Sequence, residues 1–170
     1  MGYVHDTHMT QYIPPTSMHY VTGTWADAAG NVTDTIAKAK TAADTTSTIN
    51  IPLPVPSNSS SEKGSLIKSI EIDYEVGTAA LDALSAVVNL VERGADGADA
   101  VVAAQAFTYD TGHDSAAERI DVDEHKMTLT LDTPVWLTNN QYMLVELTVD
   151  AAATSVFHML GAFVNYTFRV

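Results

Sequence analysis

From Ile49 onward, apolar and polar side chains alternate with a period of two, the spacing of a strand that buries one face. In LIKSIEIDYEVG, Ile70, Ile72, Tyr74 and Val76 fall on one side and Glu71, Asp73 and Glu75 on the other, which predicts a half-buried antiparallel strand. HKMTLTLDTPVWL sets Met127, Leu129 and Leu131 against Thr128, Thr130 and Asp132, and Pro134 then marks a kink or an edge position. QYMLVELTVD repeats the pattern with Met143, Val145, Leu147 and Val149 after an Asn139-Asn140 turn. The final segment, SVFHMLGAFVNYTFRV, is apolar on both faces, as a central or partner-covered strand is. Gly161 within it predicts a bulge or a close backbone approach.

Between these segments the signals are weaker. INIPLPVPSNSSSEKG alternates apolar residues with Pro52, Pro54 and Pro56; proline cannot donate to a ladder, so an edge strand or a crossing segment is expected. LSAVVNLVERGADGADAVVAAQAFTY reads as a hairpin turning at Gly94, Asp96 and Gly97, with a helix left open for residues 98–106 by their alanine content. Residues 37–43 admit a helical turn, but the threonines around them argue for irregular structure or short strands. Residues 1–18 show no sustained period and contain Pro14 and Pro15, so they are read as an extended N-terminal arm that either floats in solvent or lies along a neighbouring subunit. Residues 19–170 then form a single domain. At least seven short strands with turn signals between them and no repeated βα unit predict an all-β antiparallel sandwich, preferably a jelly roll or a related Greek key.

Composition narrows the function classes. The chain has 170 residues, 46% of them hydrophobic, enough for one domain with a sizeable core. A formal charge of −13 sets a field that repels phosphate backbones and anionic lipid, so neither nucleic acid nor a membrane is expected as a partner. The absence of cysteine excludes disulfides, thiolate metal sites and a cysteine nucleophile. No signal peptide and no run of eighteen apolar residues is seen, so the chain reads as soluble and, if exported, as released by some other route.

Candidate chemistry concentrates in one stretch, TYDTGHDSAAERIDVDEH, with two histidines and six acids in residues 108–125. A metal reading would recruit Asp110, His113, Asp114, Asp121, Asp123 and His125, since carboxylate and imidazole suit calcium, manganese or zinc. The bland reading is a solvated turn held by Asx-type hydrogen bonds, with ERIDV as a short strand inside it. It is favoured because no HExxH and no EF-hand spacing is present. His5 and His8 sit on the arm, where ordering entropy opposes a specific site. His158 reads as a packing residue or an interface switch. With no GxSxG elbow and no glycine-rich phosphate loop, no catalytic residue and no cofactor is assigned. Trp136 and Tyr142 are possible glycan contacts by ring stacking, or anchors like Trp25 and Tyr166.

The phrases VTGTWAD, IPLPVPSNSSSEKGSLIKSIEIDYEV, FTYDTGHDSAAERIDVDEHKMTLTLDTPVWL and FVNYTFRV resemble those of small β-sandwich virion proteins of bacteriophages and environmental viral sequences. The resemblance covers roughly residues 20–170 and implies a capsid, decoration or fibre subunit, with no catalytic residue. Apolar residues of the arm and of the last strand, Tyr12, Ile13, Phe157, Phe163, Tyr166 and Phe168, are the expected interface. The expected partners are copies of the same chain, as a trimer or larger, and other virion proteins. A carbohydrate-binding or adhesion module is the alternative.

Overall fold

The computed structural model describes residues 5–28, 37–40, 42–57, 64–94 and 98–169, and residues 1–4 of the expected arm lie outside that set. Its centre is the segment with the clearest alternation. Strand β6 (Gly64–Gly77) points Ile70, Ile72, Tyr74 and Val76 inward, all essentially solvent-free, and Glu71, Asp73 and Glu75 outward. On one side it pairs antiparallel with β10 (Glu124–Trp136), and on the other with β12 (Val156–Arg169). The last strand lies inside the sheet, the central place expected of it.

The remaining strands are β1 (Asp6–Ile13), β2 (His19–Tyr20), β3 (Trp25–Asp27), β4 (Lys38–Lys40), β5 (Thr45–Leu53), β7 (Ala83–Glu92), β8 (Val101–Gln105), β9 (Phe107–Tyr109) and β11 (Gln141–Ala151). The same alternation marks β5, β7 and β11 among them. One sheet has the order β3-β4-β12-β6-β10-β9 with β1 also on β12; the other is β2-β5-β11-β7-β8. Four antiparallel pairs nest inside one another: β7 with β8, β6 with β10, β5 with β11, and β4 with β12. Successive pairs fall in alternate sheets, which defines a jelly roll. The core between the sheets is built from the inward rows, including Ile49, Ile51, Met127, Leu129, Met143, Val145, Leu147, Phe157 and Val164.

Several expectations are corrected. Residues 6–13 do not reach away from the domain: as β1 they pair with β12 of the same chain from Asp6 opposite Arg169 to Ile13 opposite Ala162. Their lack of period reflects an edge position, where only Ile13 turns into the core. The alanines of residues 98–106 give β8 rather than a helix, and those near Lys40 give β4, because each pairs with a neighbouring strand. ERIDV forms turns and no strand. Pro134 sits in an irregularity of β10, between Thr130 and Val135, where the pairing with β6 shifts register.

Gly161 combines both features expected of it. The ladder slips between Met159 and Gly161, and Gly161 has φ +154°, a conformation that favours glycine. A Cβ there would lie 2.5 Å from the ring of Tyr12, whose hydroxyl donates to the Leu160 carbonyl at 3.0 Å. The bulge thus seats β1. Replacing Gly161 with Ala is expected to cost about 1–3 kcal/mol. In urea denaturation the loss should shrink in a Tyr12→Ala background, where the clash is gone.

Candidate functional site

Residues 110–123 leave the sheet between β9 and β10 and fold back over the inward face of β6. Asp110 starts the loop as an Asx turn: its Oδ1 accepts from the Gly112 amide at 3.0 Å, its carbonyl accepts from the His113 amide at 3.0 Å, and its Oδ2 accepts from the Thr128 amide. Ser115 and Glu118 cap each other reciprocally, with the Ser115 amide donating to Glu118 Oε2 and the Glu118 amide to Ser115 Oγ. Arg119 then ties the loop together. Its Nη1 donates to the carbonyls of His113 at 2.7 Å and Asp114 at 3.2 Å, and its guanidinium lies 4.2 Å from the centre of the Tyr109 ring. The loop is fastened to the sandwich where the Leu81 amide donates to the Ile120 carbonyl, the Val76 amide to the Asp123 carbonyl, and the Tyr74 hydroxyl to the Arg119 carbonyl, each at 2.9 Å.

Under this cap the two histidines meet. His113 Nδ1 is 2.8 Å from Asp110 Oδ1, His113 Nε2 is 3.3 Å from His125 Nδ1, and His125 Nε2 is 3.1 Å from the Asp121 carbonyl. Both histidines are buried, each 8% exposed, within a stretch that is otherwise turns and bends with mostly exposed residues. The His125 ring stacks on Tyr74 with centroids 4.6 Å apart and planes 13° apart, and Tyr74 rests in turn on Phe157.

The electrostatics follow from these contacts. Burial opposes the charge on Asp110, but the Thr128 and Gly112 amides and the His113 ring outweigh it and hold the carboxyl below its ordinary range. Burial pushes the Tyr74 hydroxyl far above its ordinary range. On the outer face of the same sheet, a hydrogen bond from Lys126 holds the Glu71 carboxyl low with help from Asn165, while burial raises Asp73.

Of the six metal candidates, the structure brings four into one chain of contacts: Asp110, His113, His125 and Asp121. Asp114 is exposed, and Asp123 spends its Oδ1 on the Glu124 amide at 2.8 Å. Among the described residues no group of three or more histidine and acidic side chains is arranged to hold a metal ion. Sequence reasoning missed Tyr74 and Arg119, which floor and tie the loop. It also missed Lys40, which is 2% exposed and donates to the Ala43 carbonyl, beside a cavity of about 260 Å³ lined by Gly23, Thr24 and Thr46.

The other singled-out residues are placed as follows. Ile13, Phe157 and Tyr166 belong to the core of their own chain, at 1%, 0% and 4% exposure, and so are not interface residues. Tyr12 is exposed and packs on Phe163, with centroids 5.0 Å apart, and Phe168 is half-buried. Trp136 carries the Arg169 guanidinium 4.8 Å from its ring centre, which occupies one stacking face. Tyr142 is exposed on the opposite sheet. His158 pairs with Glu75 at 3.0 Å on the outer face of β12. No helix among the described residues is long and apolar enough to cross a membrane.

No family model matches the chain, and no curated protein does. Among solved structures, the chain is similar to a family 11 carbohydrate-binding module from Clostridium thermocellum, in complex with a β-1,3-1,4-mixed-linked tetrasaccharide. The likeness covers 94% of this chain and 87% of that one, at 8% identity and a TM-score of 0.31, a level at which it carries no argument.

Asp110 gives the site a definite acid response. Because its carboxyl titrates lower in the folded chain than its ordinary value of 3.8, its contribution to stability is present above that value and lost as pH falls through the lower folded one. Asp110→Asn is expected to cost about 1–2 kcal/mol at neutral pH. The gap from the unaltered protein should close below pH 3.8, read by urea denaturation at each pH.

Proposed function

We propose that the chain is a non-enzymatic structural subunit that self-assembles into a homo-oligomer, a trimer or larger, of the kind that builds a phage or virus-like capsid, decoration layer or fibre. The observation that carries this reading is β8. Among the described residues it ends the order of its sheet and pairs with β7 alone, so the backbone groups of its other edge have no ladder partner there. Val101 and Val102 are 64% and 59% exposed although they point to opposite faces, and residues 100–109 hold no charged side chain. Isolated folded domains blunt such edges with lysine, proline or a covering loop. An uncharged, apolar edge is also where a chain of net charge −13 can approach its own copy with least repulsion.

The occupant is a second copy of this chain, adding a strand beside β8. Contact of β8 with β8 would close as a dimer, whereas β8 against a different edge continues to a ring, a shell or a filament. Strand β1 pairs along one edge with β12 of its own chain.

Light scattering with negative-stain electron microscopy tests the reading. Discrete rings, shells or filaments are expected from the unaltered protein, and Val101→Lys with Val102→Lys should return it to monomers with an unchanged melting temperature. A compact monomer at high concentration, or an assembly indifferent to both lysines, would sink the assignment of this edge.

A further inference from the structure

The hydrogen bonds of the histidine pair fix a proton count, and this goes beyond the assembly reading without resting on it. The contacts run from Asp110 Oδ1 to His113 Nδ1, from His113 Nε2 to His125 Nδ1, and from His125 Nε2 to the Asp121 carbonyl, at 2.8, 3.3 and 3.1 Å. Both ends are acceptors: a carboxylate kept ionised against burial by the Thr128 and Gly112 amides, and a backbone carbonyl. Three contacts therefore require three hydrogens. Two neutral imidazoles supply only one each. With two hydrogens, one contact sets a ring lone pair against the Asp110 carboxylate, against the Asp121 carbonyl or against the other ring's lone pair. With four, two N–H groups point at each other across 3.3 Å. Only three satisfy every atom.

The surroundings suit one positive charge. Asp110 closes one end and the Asp121 carboxylate lies 3.5 Å from His125 Nε2 at the other. Glu118 lies on the same loop, its carboxyl held low by the Ser115 hydrogen bonds. From β6, Tyr74 offers the face of its ring to His125, a stacking that a cationic imidazole strengthens. Arg119 is the facing cation, and its guanidinium is drawn to the His113 and Asp114 carbonyls and the Tyr109 ring. The Asp123 carboxyl turns to the Glu124 amide.

We propose that His113 and His125 hold one excess proton between them, and that this shared charge latches residues 110–123 over the sandwich, so that acidification opens the cap. Each ring is tied to the loop at its outer nitrogen, His113 through Asp110 and His125 through Asp121. A fourth proton drives the rings apart and moves the loop with them. The Ile120 and Asp123 carbonyls then lose their fixed positions on the sandwich.

Nitrogen-15 NMR of histidine-labelled protein tests the count directly. At neutral pH, three of the four ring nitrogens of the pair should carry hydrogen, with a scalar coupling between His113 Nε2 and His125 Nδ1 through the shared one. Amide protection across residues 111–123 should fall about tenfold or more between pH about 7 and about 5, while the central strands keep theirs. His113→Gln brings a donor that does not titrate, so its loop should lose the acid response. If that variant misfolds, the NMR count on the unaltered protein decides alone. Two protonated nitrogens at neutral pH would overturn the proposal, as would loop protection indifferent to acid. So would one equivalent of added Zn²⁺ taken up at neutral pH with loss of the shared hydrogen, which would make the pair a metal ligand set.

Discussion

Strand β6 is held between β10 and β12 along nearly its whole length, and most of the molecule depends on those two ladders. Its inward row of Ile70, Ile72, Tyr74 and Val76 meets no solvent, and the facing sheet supplies the row Met143, Val145, Leu147 and Val149 against it. Burying such side chains is worth about 1.5–3 kcal/mol each before entropy is counted. That gain exists only while all three strands keep register. A slip of one residue would bring Glu71, Asp73 and Glu75 into the core in their place.

The functional loop hangs from the same strand. Tyr74 is at once the most deeply set aromatic ring of β6, the floor under His125 and the donor that fastens Arg119. Core packing and the geometry of the histidine pair are therefore not separable. A change that shifts Tyr74 shifts the ring that His125 stacks on, and the burial that confines both histidines comes from the loop lying on that ring.

The strands were legible where one face is buried and the other is wet, as in β6, β10 and β11, because alternation is a local consequence of that environment. Asp96 and Gly97 of the expected turn lie outside the described residues, while the pairing of β7 with β8 and the irregularity at Gly161 were legible. Strand β1 was not, because an edge strand with a single inward residue leaves no period to read. In the loop, a turn held by Asx-type hydrogen bonds was legible. The meeting of His113 with a ring twelve positions later, and the tyrosine from another strand beneath it, were not. Neither relation leaves a trace in local spacing. Sequence offered the aromatic residues of β12 as contact surface, but it could not say that Phe157 and Tyr166 face inward and that the most exposed valines, Val101 and Val102, belong to β8.

The nested pairing also constrains the order in which the chain can organise itself. Strands β7 and β8 are neighbours in sequence and can zip as soon as both have left the ribosome. Each further pair, β6 with β10, β5 with β11 and β4 with β12, closes a longer loop than the one before. A strand from the inside of the other sheet, β12, follows all of these in the chain. Until it arrives, the ladder edge of β6 that it covers stands open, as does the outer edge of the uncharged strand β8. Nascent chains queued on one messenger thus carry sticky edges side by side for most of translation, which makes the pace of synthesis and the supply of chaperones part of what this topology demands.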